Sequence, residues 1–261
     1  MGPAYLRYSF TRGTVAEVDF LVEQLGLGPR SRVLDVGCGP GRHSLEMARR
    51  GLDVVGVDIA STFVELARET ARSEGLDARF LRLDARELDT DPRLAAGFDA
   101  VVSLCQGAFG LQGGPDPGAG PPGEEPVPPV DPDLAVLAAM AAVLRPGGRL
   151  ALSAFSAPFM IRHWPEAEFD VDTGVNHETT EIRDPEGNET TAELWTTCFS
   201  PRELRLAARL VGLVDPAVHS VEPGDYAARA PNPDTAEFLL IARKPSAVDP
   251  GGEPAQRGRS G

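Results

Sequence analysis

Residues 33–41, Val-Leu-Asp-Val-Gly-Cys-Gly-Pro-Gly, constrain this chain more than any other stretch. A short apolar run that reads as a strand, Arg32–Val36, passes into three glycines at alternate positions, Gly37, Gly39 and Gly41. A helical segment, Gly41–Arg50, follows at once. Glycine lets backbone approach a ligand closely and turn through positive φ. A strand, a glycine turn and a helix in that order belong to open α/β sheets, which bind ligands beyond the carboxyl ends of their strands. The spacing is G-x-G-x-G and not the dinucleotide G-x-G-x-x-G. A nicotinamide-dependent oxidoreductase is therefore the weaker alternative. Asp35 places a carboxylate just before the first glycine, and Cys38 reads as a small filler within the loop.

The rest of the amino-terminal half repeats the alternation. Asp53–Val57, Arg79–Leu83 and Ala100–Leu104 read as further strands. Thr14 to Leu25 carries Val15, Val18, Val22 and Leu25 at helical spacing. Thr62 and Glu65 predict a capping box opening the next helix. Asp131-Pro132 marks another helix start, with Leu134, Leu137, Ala141 and Leu144 along one face. Pro146-Gly147-Gly148 is expected to stop that helix before a strand at Arg149–Phe155. Alternating elements imply a mostly parallel, doubly wound, Rossmann-like sheet. The pattern then changes: Thr-rich runs Val175–Arg183 and Glu189–Cys198 flank Asp184-Pro-Glu-Gly-Asn188, the signature of an antiparallel hairpin. Ser200-Pro-Arg-Glu203 opens another helix, and Ala217–Val221 and Phe238–Ala242 read as closing strands.

Composition removes several function classes. The 261 residues carry 25 basic and 39 acidic side chains, a net charge of −14. Duplex-binding proteins gain affinity by neutralising phosphates with Lys and Arg, so no nucleic-acid partner is expected. No apolar run approaches the ~20 residues of a membrane span, so no membrane partner is expected either. The three cysteines, at 38, 105 and 198, match neither a metal-ligand spacing nor an even disulfide set. No metal and a reduced, cytoplasmic setting follow. Residues 112–132 hold 13 Gly or Pro, which marks 112–130 as a flexible insertion. The residues from 245 on read as a disordered tail.

Taken in order, VLDVGCGPG, GVDIA (56–60), LDA (83–85), FDAVVSL (98–104) and LRPGGRLALSAF (144–155) resemble the class I S-adenosylmethionine-dependent methyltransferase family over roughly residues 30–243. The resemblance implies a seven-stranded sheet, with the hairpin added after the fifth strand. Residues 1–29 would form an amino-terminal lid and 30–244 the methyltransferase domain, with a substrate-side insertion at 157–198. It implies S-adenosylmethionine as cofactor and S-adenosylhomocysteine as product. Asp35, Gly37, Cys38, Gly39 and Gly41 would cradle the methionine part and the ribose, and Asp58 would hold the ribose diol. Ile59 would pack on the adenine, Asp84 would accept from its amino group with Ala85 beside it, and Leu104 would lie under the sulfonium.

The acceptor is expected to be a small molecule. Gln106 and Phe109 follow the fourth strand, where the family places the transfer channel, and Trp164 lies after the fifth. His163 and His177 are weak candidates for a general base. Residues 160–240 contain 16 acids and 6 bases, a balance that would draw a cationic or amine substrate. A non-catalytic cofactor-binding protein is the second alternative. Monomer and homodimer are equally open.

Overall fold

A computed structural model describes residues 13–94, 97–111, 131–165, 167–183 and 189–246. The first twelve residues, the whole 112–130 insertion expected from the sequence, residues 184–188 of the expected hairpin and nearly all of the expected tail lie outside them. The described chain alternates as the sequence predicts. Helix α1 (Thr14–Leu25) precedes β1 (Arg32–Val36), α2 (Arg42–Arg49), β2 (Asp53–Asp58), α3 (Ser61–Glu74), β3 (Ala78–Arg82) and β4 (Phe98–Ser103). Then come α4 (Pro132–Val143), β5 (Leu144–Ser156) and α5 (Ala157–His163). The carboxyl-terminal third adds β6 (Glu168–Phe169), β7 (Val175–Arg183), β8 (Glu189–Phe199), α6 (Pro201–Leu210), β9 (Val214–Glu222), β10 (Asp225–Arg229) and β11 (Glu237–Arg243).

The main sheet runs β10-β9-β11-β5-β4-β1-β2-β3. Its five strands from β3 to β5 pair in parallel, and β11 runs antiparallel to both β5 and β9. The expected seven strands are all present, and β10 extends the edge by an eighth. The hairpin β7–β8 branches off where β8 pairs with the end of β5. Strand β1 is buried at four of its five positions, as suits a central parallel strand covered on both faces. One face packs Val18, Leu21 and Met47 of α1 and α2. The other packs Leu137 and Met140 of α4 with Leu204 and Ala208 of α6. Strand order reverses between β1 and β4, which is where a doubly wound sheet leaves a crevice.

Four local readings need correction. Val15 is exposed, and the inner face of α1 is Val18, Leu21 and Leu25 with Glu17. The first turn is rotated so that the Glu17 carboxylate meets Arg42 and His43, each at 2.7 Å. The Thr62–Glu65 capping box does not form. The N-cap of helix α3 is Ala60, two residues earlier, without a side-chain cap, and the Asp58 carboxylate orders the entry by accepting from Ala60 N at 2.8 Å. Pro146-Gly147-Gly148 does not lie between helix and strand. Strand β5 begins at Leu144, and the three residues sit at a register shift within it. Strands β6 and β10, two and five residues long, were not anticipated, since runs that short carry little periodicity. The Ser200–Glu203 capping box and the Asp131 cap are both present.

Candidate cofactor site

At the sheet's switch point, the ends of β1 to β4 enclose a cavity of about 290 Å³. Gly37 enters it from the turn after β1, Asp58 and Ile59 from the end of β2, Asp84 and Ala85 from just past β3, and Gly107 and Ala108 from past β4. The size lies near the lower end of small-ligand clefts.

The loop's backbone is almost fully committed. Gly37 N and Cys38 N both donate to Val57 O, at 2.9 and 3.0 Å. Gly39 N donates to Asp58 Oδ2 at 2.8 Å. Gly37, with φ 70, lies so close to Gly107 that a Cβ would fall 2.2 Å from the Gly107 carbonyl carbon. No side chain fits between these turns, which explains the glycine. Beside Gly39, by contrast, a Cβ would meet nothing within 4 Å, and that open space adjoins the Asp58 carboxylate.

The donor set fits the adenosine part of the expected cofactor. Asp58 is anchored through both oxygens by Gly39 N and Ala60 N, and its remaining lone pairs are available to a diol. Ile59 is 63% exposed, an apolar side chain standing at the cavity where a planar base would cover it. The Asp84 carboxylate lines the cavity while accepting from Arg86 N and its guanidinium, both at 2.9 Å. Those hydrogen bonds hold its carboxyl below the usual range.

Other expected residues lie apart from the cavity. Asp35 is buried beneath the loop, accepts from Ser44 Oγ at 2.6 Å, and is pushed up in pKa by burial. The Cys38 side chain turns into a cluster with Ala67 and Phe80, where burial raises its thiol well above the ordinary value. Leu104 is buried with Val102 and Leu239. Gln106 is buried and reaches Ser153 Oγ. Phe109 is fully buried, stacked on Phe199 at 4.7 Å, and borders a second cavity of about 460 Å³ between α4, α5, α6 and the hairpin. Trp164 is 47% exposed and donates to Glu178 at 2.8 Å. His163 pairs with Asp234 at 3.0 Å. His177 stacks on Trp195 at 4.4 Å and pairs with Glu193. Neither histidine lines the cavity between the strand ends.

A polar cluster beside the glycine loop escaped the sequence reading. It joins Glu17, Arg42, His43, Cys105, Tyr226 and Glu237. Burial alone would raise the Glu17 carboxyl, but the His43 hydrogen bond and the nearby charges outweigh it and bring it down to about 2. The available signal was an acid abutting an apolar run, Glu237-Phe-Leu-Leu-Ile241.

A family model for a methyltransferase domain matches residues 33–112. The chain is 43% identical over 89 residues to a 23S rRNA (uracil(1939)-C(5))-methyltransferase of Alkalilimnicola ehrlichii, covering 33% of this chain and 20% of that one. It is 30% identical over 251 residues to 27-O-demethylrifamycin SV methyltransferase of Amycolatopsis mediterranei, covering 89% of this chain and 84% of that one. The CcbJ methyltransferase of Streptomyces caelestis has the same fold, with TM-score 0.63, 19% identity and 90% of each chain covered. The chain spans 20% and 48% of the length of the first two curated relatives it matches. A match at 30% identity over 89% of this chain and 84% of the relative, on a sheet of this order with its cleft at the switch point, has one reading: the chain belongs to the class I S-adenosylmethionine-dependent methyltransferase family.

Proposed function

We propose that the chain transfers the methyl group of S-adenosylmethionine to a small-molecule acceptor. The observation that carries this reading is the convergence of Gly37, Asp58, Ile59, Asp84 and Ala85, from three successive strand ends, on one cavity. When bound, the cofactor supplies an electrophilic methyl on a sulfonium whose leaving group is a neutral thioether. The chain supplies position. Asp58 holds the ribose hydroxyls, Ile59 covers the base, and Asp84 accepts from the exocyclic amine. Gly107 and Ala108, in the turn after β4, border the cavity and would keep water from the sulfonium. Aligning two reactants in this way is worth roughly 7–11 kcal/mol of the barrier.

The acceptor side rests on Gln106 and Phe109, which follow β4 and lead away from the cofactor cavity. A small acceptor is supported by the charge balance: a chain at −14 offers little to a phosphate backbone. His163 and His177 are not given a catalytic role, because each is engaged with a carboxylate away from the cleft.

Thermal melting tests the reading. S-adenosylhomocysteine at about 100 times its Kd stabilises a native site by about 2.7 kcal/mol. It should raise the melting temperature by several degrees, while NADH at the same concentration leaves it unchanged. A shift with NADH alone would overturn the cofactor assignment. Product formation with RNA but with no member of a small-metabolite panel would overturn the acceptor class.

A further inference from the structure

The turn that follows β4 has two sides. On one, Gly107 lies against Gly37 in the cofactor cavity. On the other, Gln106 reaches inward to Ser153 and to the Glu237 carboxylate. Both Cys105 and Gln106 adopt left-handed backbone, each with φ 52. Non-glycine residues hold that conformation only where their surroundings impose it, and such residues gather at functional sites.

Glu237 opens β11 opposite Phe155, near the end of β5, so it stands at the carboxyl end of the parallel strands, level with the cleft. It is 7% exposed, and its Oε2 has no hydrogen-bond partner among the described residues. Tyr226 on β10 is 6% exposed, and its hydroxyl is likewise without one. Among the described residues, the charged and titratable groups facing this pair are Glu17 from α1, Arg42 from α2 and Cys105 from the turn. Arg42 is engaged by Glu17 at 2.7 Å, Thr14 at 2.8 Å and the Cys105 sulfur at 2.6 Å. His43 also serves Glu17. Burial pushes the Glu237 carboxyl up to about 7, against the Gln106 hydrogen bond. A buried carboxylate oxygen and a buried phenol without partners are costly by themselves. Their cost is offset when a donor carrying positive charge arrives.

We propose that Glu237 and Tyr226, with Gln106 linking them to the cofactor cleft, seat a cationic nitrogen at the methyl-transfer end of the site, namely the ammonium of an amine acceptor. The inference rests on the methyltransferase reading and narrows its substrate class. Glu237 takes one proton from the ammonium. The freed lone pair forms the new N–C bond while the C–S electron pair passes to sulfur. The product leaves as a methylated ammonium, and the Glu237 proton returns to solvent.

Titration calorimetry with three probes tests this on the whole chain. S-adenosylhomocysteine carries only the cofactor's α-ammonium. Sinefungin adds an amine where the sulfonium bears its methyl, and 5′-methylthioadenosine lacks the amino-acid part. Wild type should prefer sinefungin to S-adenosylhomocysteine by roughly tenfold or more, as a charge-assisted contact gives. In Glu237→Gln that preference should fall to within about threefold, with S-adenosylhomocysteine affinity held. Tyr226→Phe should remove part of it, and it carries the test should Glu237→Gln not fold. Equal wild-type affinity for the two, or a preference unchanged in a folded Glu237→Gln, overturns the proposal. A loss shared by sinefungin and S-adenosylhomocysteine but not by 5′-methylthioadenosine keeps the cation seat and overturns the acceptor assignment, because the nitrogen is then the cofactor's own. A wild type that binds none of the three contradicts the methyltransferase reading itself.

Discussion

Gly37, Asp58 and Asp84 each lie within two positions of a strand end, and neighbouring strands pair in parallel register. Between α5 and β8 the chain is built differently. There Trp164, His163 and His177 are partly exposed and meet acidic partners through side-chain contacts, while the inward positions Asn176 and Thr196 are buried. Backbone geometry defines the first region, and side chains on a branch of the sheet define the second. A ligand site of the first kind is set by where strands stop and tolerates little change. The second kind tolerates substitution at its surface.

The largest effect should follow from closing the contact between the two turns. In Gly37→Ala the new methyl would sit 2.2 Å from the Gly107 carbonyl carbon, at φ 70. One turn must move, and S-adenosylhomocysteine binding should fall by two orders of magnitude or about that. Calorimetry that finds wild-type affinity would show the two turns to be loosely held.

Phe109 divides the regions. Fully buried and stacked on Phe199, it should lose about 3–5 kcal/mol of stability when changed to Ala. Urea unfolding measures this. The folded fraction should keep its S-adenosylhomocysteine affinity, because Phe109 does not line the cleft. A stable variant that no longer binds the cofactor product would reverse this assignment.

The next effect depends on pH. The Glu237 carboxyl sits at about 7 in the fold against an ordinary 4.5, because of burial. The folded state therefore holds its proton where the unfolded chain has lost it. The associated stability is fully present below about pH 4.5 and is lost as pH rises through 7, by at most about 3 kcal/mol. Glu237→Gln should escape that loss, so its stability relative to wild type should be greater at about pH 8 than at about pH 5. Parallel pH profiles in urea would show the carboxyl to be solvated. The smallest effect belongs to Trp164→Ala, which should change stability by less than about 0.5 kcal/mol beyond its contact to Glu178 and leave cofactor binding as it is.

The main strands along the chain and the cleft at their ends were legible in sequence because their determinants are local: a glycine spacing, an acid at a strand end, an apolar run. Asp58 illustrates this. Its position at the end of β2 follows from its place in Gly-Val-Asp-Ile-Ala, and its two backbone contacts reach residues 19 and 2 positions away. Glu17 and Glu237 were not legible, since one opens a helix before β1 and the other opens the last strand. Only the sheet order, with β11 inserted between β5 and β9, brings them together. The turned face of α1 was missed for the same reason: hydrophobic spacing favours Val15, but the partners of Glu17 come from α2. Short β10 carries Tyr226, which nothing in its immediate sequence distinguishes.

The central claim is that strand ends, led by Asp58, form the cofactor site. Calorimetry of S-adenosylhomocysteine binding to wild type and to Asp58→Ala tests it most directly. Charge-assisted hydrogen bonds to a diol contribute about 1.5–3 kcal/mol each, so a variant that still melts cooperatively should bind at least roughly tenfold more weakly. Unchanged affinity in that folded variant would contradict the account.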